Sequence, residues 1–125
     1  MRALEAIAAT VEAEELYGKT EPGSDEIRII AQVLEGRDPE SLKHLAVALI
    51  SHPKTIALLG SHDKEAARLV FARSEDASGD MNALMREACA MLDGRGGGKP
   101  DLAQGGGKSF EKLGEALELA KNSLS

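Results

Sequence analysis

The stretch "GRGGGKPDLAQGGGKS", residues 94–109, holds seven of the chain's thirteen glycines. Two glycine triplets bracket an ordered centre, KPDLAQ, and the stretch ends in Gly-Lys-Ser. A flexible linker is a Gly/Ser mixture without such order. We therefore interpret residues 94–109 as a structured loop, in which the backbone approaches a neighbour closely or takes positive φ at several glycines.

The closing Gly-Lys-Ser does not make a P-loop. That motif needs a glycine five positions before its Gly-Lys-Ser, and Leu102 stands there. A dinucleotide fingerprint fails as well, because Lys99 occupies the place of the third glycine and the stretch follows a helical pattern rather than a strand. The loop matches neither class of nucleotide site.

Positive charge gathers on this loop although the chain as a whole is acidic, with a net charge of −6. Arg95, Lys99 and Lys108 stand against Asp101. Successive backbone N–H groups in a glycine loop can form an anion-binding nest, and the start of a following helix adds free donors. The sequence therefore predicts a local site for a phosphate backbone.

The segments around the loop predict an α+β fold, a small mixed β-sheet packed against helices, in the order α-β-α-β-β-α-Gly-rich loop-α. A leading helix (1–18), which is either an ordinary amphipathic helix or the end of a longer one, precedes a single domain (19–125). Asp38 and Pro39 mark a helix start, Gly94 suits a helix end, and Ser109 suits the cap of the last helix. The periodicity predicts helices at 2–17, 39–51, 81–92 and after 109, and strands at 27–36, 55–60 and 66–73.

The loop resembles the signature of the C-terminal, DHH-associated domain of alanyl-tRNA synthetases, Gly-Gly-Gly-Arg-Pro-Asp-x-Ala-Gln-x-Gly-Gly. The match extends over about a dozen ordered positions, with Lys99 in place of the usual arginine. Lysine keeps the charge and loses the bidentate fork. The preceding helix and the order of strands fit the same family, so the resemblance covers most of the chain.

The resemblance implies a non-catalytic domain that binds the tRNA specific for alanine. In a parent alanine–tRNA ligase, this domain would assist aminoacylation and editing. It implies no cofactor in this chain, since the parent uses ATP, Mg and Zn elsewhere. Asp101 would either fix the loop by accepting backbone N–H bonds or contact the ligand, and Gln104 would bond a base or ribose edge. The implied nucleic-acid-binding residues are Arg95, Gly96, Gly97, Gly98, Lys99, Asp101, Gln104, Gly105, Gly106, Gly107 and Lys108.

Two other functions are compatible with the sequence. One is a structural module that forms a homodimer, for which the short apolar stripe of the leading helix (Leu4, Ile7, Ala8 and Val11) is the motive. The other is the accessory domain of a DHH-type phosphoesterase, although the Asp-His-His motif of that branch is absent and Lys99 replaces its loop histidine.

Composition limits the remaining chemistry. With no Trp, one Tyr and two Phe, a sheet that reads RNA by stacking bases on many rings is disfavoured. Cys89 is the single cysteine and is expected to be buried, and His44, His52 and His62 lack metal-ligand spacing. The absence of a long apolar run predicts a cytoplasmic protein without a membrane partner.

Overall fold

The computed structural model describes residues 2–23 and 26–124, with side chains from residue 10 onward. The helices and strands follow the predicted order up to residue 93. Their bounds are α1 (Arg2–Lys19), β1 (Arg28–Val33), α2 (Pro39–Leu49), β2 (Thr55–His62), β3 (Ala67–Arg73), α3 (Met81–Met91), β4 (Gly94–Lys99), β5 (Leu102–Gly107), a 3-10 turn (Phe110–Lys112) and α4 (Leu113–Leu124).

The five strands form one mixed sheet in the order β1-β2-β3-β5-β4. Strands β1 and β2 are parallel, and α2 makes the crossover between them. All other neighbours are antiparallel, including the hairpin of β2 and β3. The predicted α+β class and mixed sheet are therefore confirmed.

Helices cover the two sides of the sheet with separate cores. Helices α3 and α4 pack on the side that carries Leu58 and Phe71, whereas α1 and α2 pack on the side that carries Leu59 and Val70. Strand β2 is buried along nearly its whole length because it has apolar neighbours on both sides. Burial on both faces is expected of a strand that helices cover on each side.

The predicted helix start at Asp38 and Pro39 is confirmed. The Asp38 carboxylate accepts a hydrogen bond from the Ser41 N–H, and Pro39 occupies the first turn of α2. Asp80 caps α3 in the same way. The predicted cap at Ser109 is wrong, because its side chain makes no capping bond and the chain enters α4 through a 3-10 turn.

The glycine-rich stretch is the main departure from the predicted fold. Residues 94–109 were expected as a loop, but they form the antiparallel pair β4 and β5, joined by a tight turn at Pro100 and Asp101. Glycine has a low intrinsic preference for strands, so composition alone argues against this assignment. The strand conformation is instead stabilised by the pairing of β5 with β3 and by the packing of α3 on the hairpin.

Helix α1 lies against α2 and is held by polar contacts at its C-terminal half. Glu12 pairs with Arg37 at 2.5 Å, and Glu14 pairs with His52 at 2.8 Å. Of the apolar stripe predicted for this helix, Leu4, Ile7 and Ala8 lie outside the described side chains, and Val11 is exposed. None of the helices in the described ranges combines the length and hydropathy needed to cross a membrane.

Candidate nucleic-acid interface

The β4–β5 hairpin presents its polar side chains on one side of the sheet. Lys99 pairs with Leu102, and Leu102 packs with the core under α2. In a β-sheet, paired residues point to the same side, and so does every second residue along a strand. Gln104 and Arg95 therefore lie on the same side as Lys99 and Leu102. All three polar residues are exposed. We call Arg95, Lys99 and Gln104 the open strip.

The glycines allow close packing on the opposite side of the hairpin. A β-carbon on Gly96 would lie 2.7 Å from the Gly105 Cα and 2.8 Å from the Cys89 Sγ, and one on Gly105 would lie 2.6 Å from that sulfur. These distances are too short for any side chain. The expected close backbone approach is present, but it brings the hairpin to helix α3 rather than to a ligand.

The predicted backbone nest is wrong. No residue of 94–107 has positive φ, because the glycines are extended and engaged in strand pairing. Asp93, rather than Gly94, takes the left-handed conformation at the end of α3, with φ of 55°. Any anion site here therefore depends on side chains.

The register divides the predicted glycine contacts into two sets. By alternation Gly97 and Gly106 fall on the side of the open strip, but a β-carbon on Gly97 would lie 2.9 Å from the Asn82 Oδ1 of α3. The other four share the α3 side with Ala103 and Cys89; they are Gly96, Gly98, Gly105 and Gly107. We therefore retain Gly106 as a floor position of the candidate site, whereas Gly97 lies against Asn82.

Lys108 and Asp101 lie at opposite ends of the hairpin. Lys108 follows β5 and is exposed near the start of β4, whereas Asp101 is in the turn beside Lys99. The Asp101 backbone carbonyl accepts a hydrogen bond from the Arg73 N–H at 3.0 Å. In the described part of the chain its carboxylate accepts none, so Asp101 shapes the turn through its main chain.

Asn82 is a site residue that sequence reasoning missed. Its Oδ1 accepts a hydrogen bond from the Gly98 N–H at 3.0 Å, which satisfies a donor on the outer edge of β4. Strand β4 is an edge strand, and unpaired edges invite association with other strands. No local signal could have found this contact, because it depends on α3 lying along the hairpin.

Arg68 of β3 extends the open strip across the sheet. It pairs with Gly106, which pairs in turn with Arg95, so the two arginines flank a position without a side chain. Two strand spacings place their α-carbons about 10 Å apart. A phosphate above Gly106 could contact both guanidinium groups. Sequence reasoning missed Arg68 because only the register reveals its neighbours.

Asp63 partly neutralises Arg68, with a carboxylate–guanidinium distance of 3.0 Å. Hydrogen bonds from the backbone N–H groups of Glu65 and Ala66, and then from Arg68, lower the pKa of Asp63 to about 2. The carboxylate is thus ionised at neutral pH. In contrast, Arg95, Lys99 and Lys108 form no ion pair within the described residues, so their charge is available to a ligand.

The three histidines are dispersed, and each lies beside a carboxylate. His52 stacks on Tyr17 with centroids 3.9 Å apart, and His62 stacks on Phe110 at 5.8 Å. His44 lies on α2, 3.9 Å from Glu40. Among the described residues, no group of three or more His, Cys, Asp or Glu side chains could hold a metal ion. Cys89 is buried, as predicted, and desolvation raises the pKa of its thiol.

Comparison with known proteins identifies the family. The family model described as the DHHA1 domain matches residues 26–125. The chain belongs to the DHHA1 domain family. It is also 36% identical, over 97 residues, to the alanine–tRNA ligase of Leptospira biflexa. That alignment includes 74% of this chain and 11% of the ligase, so the chain spans about a tenth of the length of this relative.

A solved structure supports the same assignment. The C-Ala domain of the Aquifex aeolicus alanyl-tRNA synthetase superposes with a TM-score of 0.77 at 34% identity, covering 86% of this chain and 98% of that domain. The resemblance to the synthetase C-terminal domain is confirmed. An exopolyphosphatase-related protein from Bacteroides fragilis, with a TM-score of 0.50 and 14% identity over 93% of this chain and 36% of its own, shares the fold alone.

Proposed function

We propose that this DHHA1 domain is a non-catalytic tRNA-binding module of an alanine–tRNA ligase. The observation that carries the proposal is the open strip, where Arg95 and Lys99 are exposed and without ion-pair partners in the described chain, beside Gln104. The similarity to alanyl-tRNA synthetases supports tRNA as the class of nucleic acid, and we propose that it is the tRNA specific for alanine. In the parent enzyme the module would hold tRNA during aminoacylation and editing.

The side chains of the site suit an RNA backbone. Phosphates bind lysine and arginine through charge-assisted contacts, and such contacts position the nucleic acid without reading its sequence. Lys99 and Arg95 lie at the two ends of β4, and Lys108 adds a charge next to Arg95. Gln104, between them, can donate to or accept from a ribose or base edge.

Titration of tRNA with Lys99→Glu and wild-type chains tests the proposal. Each phosphate contact adds about 0.7–0.9 to the slope of log K against log salt concentration. The Lys99→Glu chain should therefore bind more weakly and show a slope smaller by about one unit. Fluorescence anisotropy from about 50 to 200 mM salt gives both quantities.

Lys121→Glu is the matched control. Lys121 is exposed on α4, on the opposite side of the sheet, and the substitution makes the same change in net charge. Its binding curve should follow the wild type at about 0.15 M salt, where the Debye length is about 8 Å. Equal slopes for Lys99→Glu and wild type would show that the open strip is not the tRNA site.

Self-association is the second candidate function, and exposed valines favour it. Val11 of α1 is 56% exposed and Val47 of α2 is 48% exposed. Val47 lines a groove of about 420 Å³ between the two helices, and exposed apolar patches of this kind mark interfaces. Light scattering of the full chain and of residues 19–125 tests this candidate. A monomer in both cases would contradict it.

A further inference from the structure

A second groove opens at the end of the sheet where β2 and β5 finish. It has a volume of about 520 Å³ and is lined by Glu35, Gly36, His62, Asp63, Lys64 and Phe110. The rings of His62 and Phe110 form one wall, with an interplanar angle of 15° and centroids 5.8 Å apart. This separation is an offset stack, so part of each ring face remains uncovered.

The groove adjoins the cationic end of the hairpin. Lys64 lines it, and Lys108 lies two residues before Phe110. Ala67 pairs with Gly107 in the sheet, which brings the turn before β3 next to the end of β5. A phosphate contacting Lys64 or Lys108 would therefore have an aromatic surface beside it.

We propose that this groove receives an unstacked nucleobase of an RNA loop, which stacks on the His62–Phe110 pair. Ring faces next to cations are the arrangement by which proteins bind single-stranded RNA, because every base has a π-face. The mixed lining favours a base over a purely apolar ligand, since Glu35 and Lys64 can meet polar base edges. This inference rests on the RNA-binding function proposed above and adds a contact that does not depend on the open strip.

The test uses the full chain and RNA stem-loops that carry 2-aminopurine at each loop position in turn. Stacking on an aromatic ring quenches 2-aminopurine, so at least one loop position should lose emission on binding. Phe110→Leu keeps an apolar side chain and removes the ring. It should abolish that quenching and weaken binding by at least about fivefold, whereas Phe110→Tyr should retain both.

The salt dependence separates this inference from the function on which it rests. Phe110→Leu should leave the slope of log K against log salt unchanged, because the phosphate contacts remain. Because Phe110 packs partly on the core, thermal unfolding of each variant is measured to check that the fold is intact. His62→Ala is a second variant that removes the other ring of the stacked pair.

Two results overturn the groove proposal. Binding of the stem-loops with unchanged 2-aminopurine emission at every position would show that no base enters the groove, while leaving the open strip intact as a phosphate site. Absence of salt-dependent binding by the wild-type chain would overturn the proposed function and the groove together.

Discussion

Gly105 lies where β5, β4 and helix α3 meet. A β-carbon there would be 2.6 Å from both the Cys89 Sγ and the Gly96 Cα. Backbone atoms cannot move aside as a flexible side chain can. We therefore expect Gly105→Ala to lower the free energy of unfolding by about 1–3 kcal/mol, the usual cost of overpacking. Urea denaturation of both chains measures the difference.

Gly114→Ala is the control for this prediction. Gly114 lies in α4 and has no neighbour within 4 Å of a built β-carbon. Alanine is the better helix former by about 0.5–1 kcal/mol, so this variant should be as stable as the wild type or more stable. If Gly105→Ala unfolds at the same urea concentration as Gly114→Ala, the hairpin is not closely packed against α3 in solution.

The helices and strands show how much of the fold can be predicted from sequence. Periodic apolar residues predicted α2 and α3, a β-branched run predicted β1 and a short apolar run predicted β2, each to within a few residues. The hairpin of β4 and β5 was not predicted because seven of its twelve strand residues are glycine. Its strand conformation comes from β3 and α3, which are distant in sequence.

Helix α1 is joined to the sheet by Arg28 of β1. The Arg28 Nη1 donates hydrogen bonds to the Tyr17 carbonyl at 2.9 Å and the Thr20 carbonyl at 2.7 Å, and the guanidinium lies 4.2 Å from the centre of the Tyr17 ring. We expect Arg28→Ala to reduce the free energy of unfolding by about 1–2 kcal/mol. Thermal unfolding measures this loss.

Amide hydrogen exchange shows whether the loss is local to α1. Exchange in the last turn of α1 should accelerate more than exchange in β2, because the last carbonyls of the helix lose their partner. Arg86→Ala, at an exposed position of α3, serves as the control and should change stability by less than about 0.5 kcal/mol. If amide exchange in the Arg28→Ala chain accelerates equally in α1 and β2, Arg28 has no specific role in holding α1.

For the molecule as a whole, the sequence predicted the charge of the candidate site better than its shape. Arg95, Lys99 and Gln104 were expected to act together, and the register brings them to one exposed side. Arg68 and Asn82 could not be found in this way. Their contributions depend on strand order and on the position of α3, which residue spacing does not encode.

The chain has a net charge of −6 but carries a cationic strip on the hairpin. The effect of an acidic residue on tRNA affinity should therefore depend on its distance from this strip. Asp101 is in the turn beside Lys99, whereas Glu118 is exposed on α4 across the sheet. Screening limits exposed charges to a range of about 8 Å at 0.15 M salt and about 30 Å at 0.01 M. Asp101→Asn should therefore tighten tRNA binding by a few-fold at both salt concentrations, because its charge lies within the shorter range of the strip.

Glu118→Gln makes the same change in net charge far from the strip. It should leave tRNA affinity unchanged at about 0.15 M salt and raise it only at about 0.01 M, where the longer screening length includes the whole domain. Anisotropy titrations at the two salt concentrations give the comparison. Equal gains for the two variants at the higher concentration would mean that net charge, rather than the open strip, governs binding; a gain for Asp101→Asn alone places the RNA backbone at the hairpin.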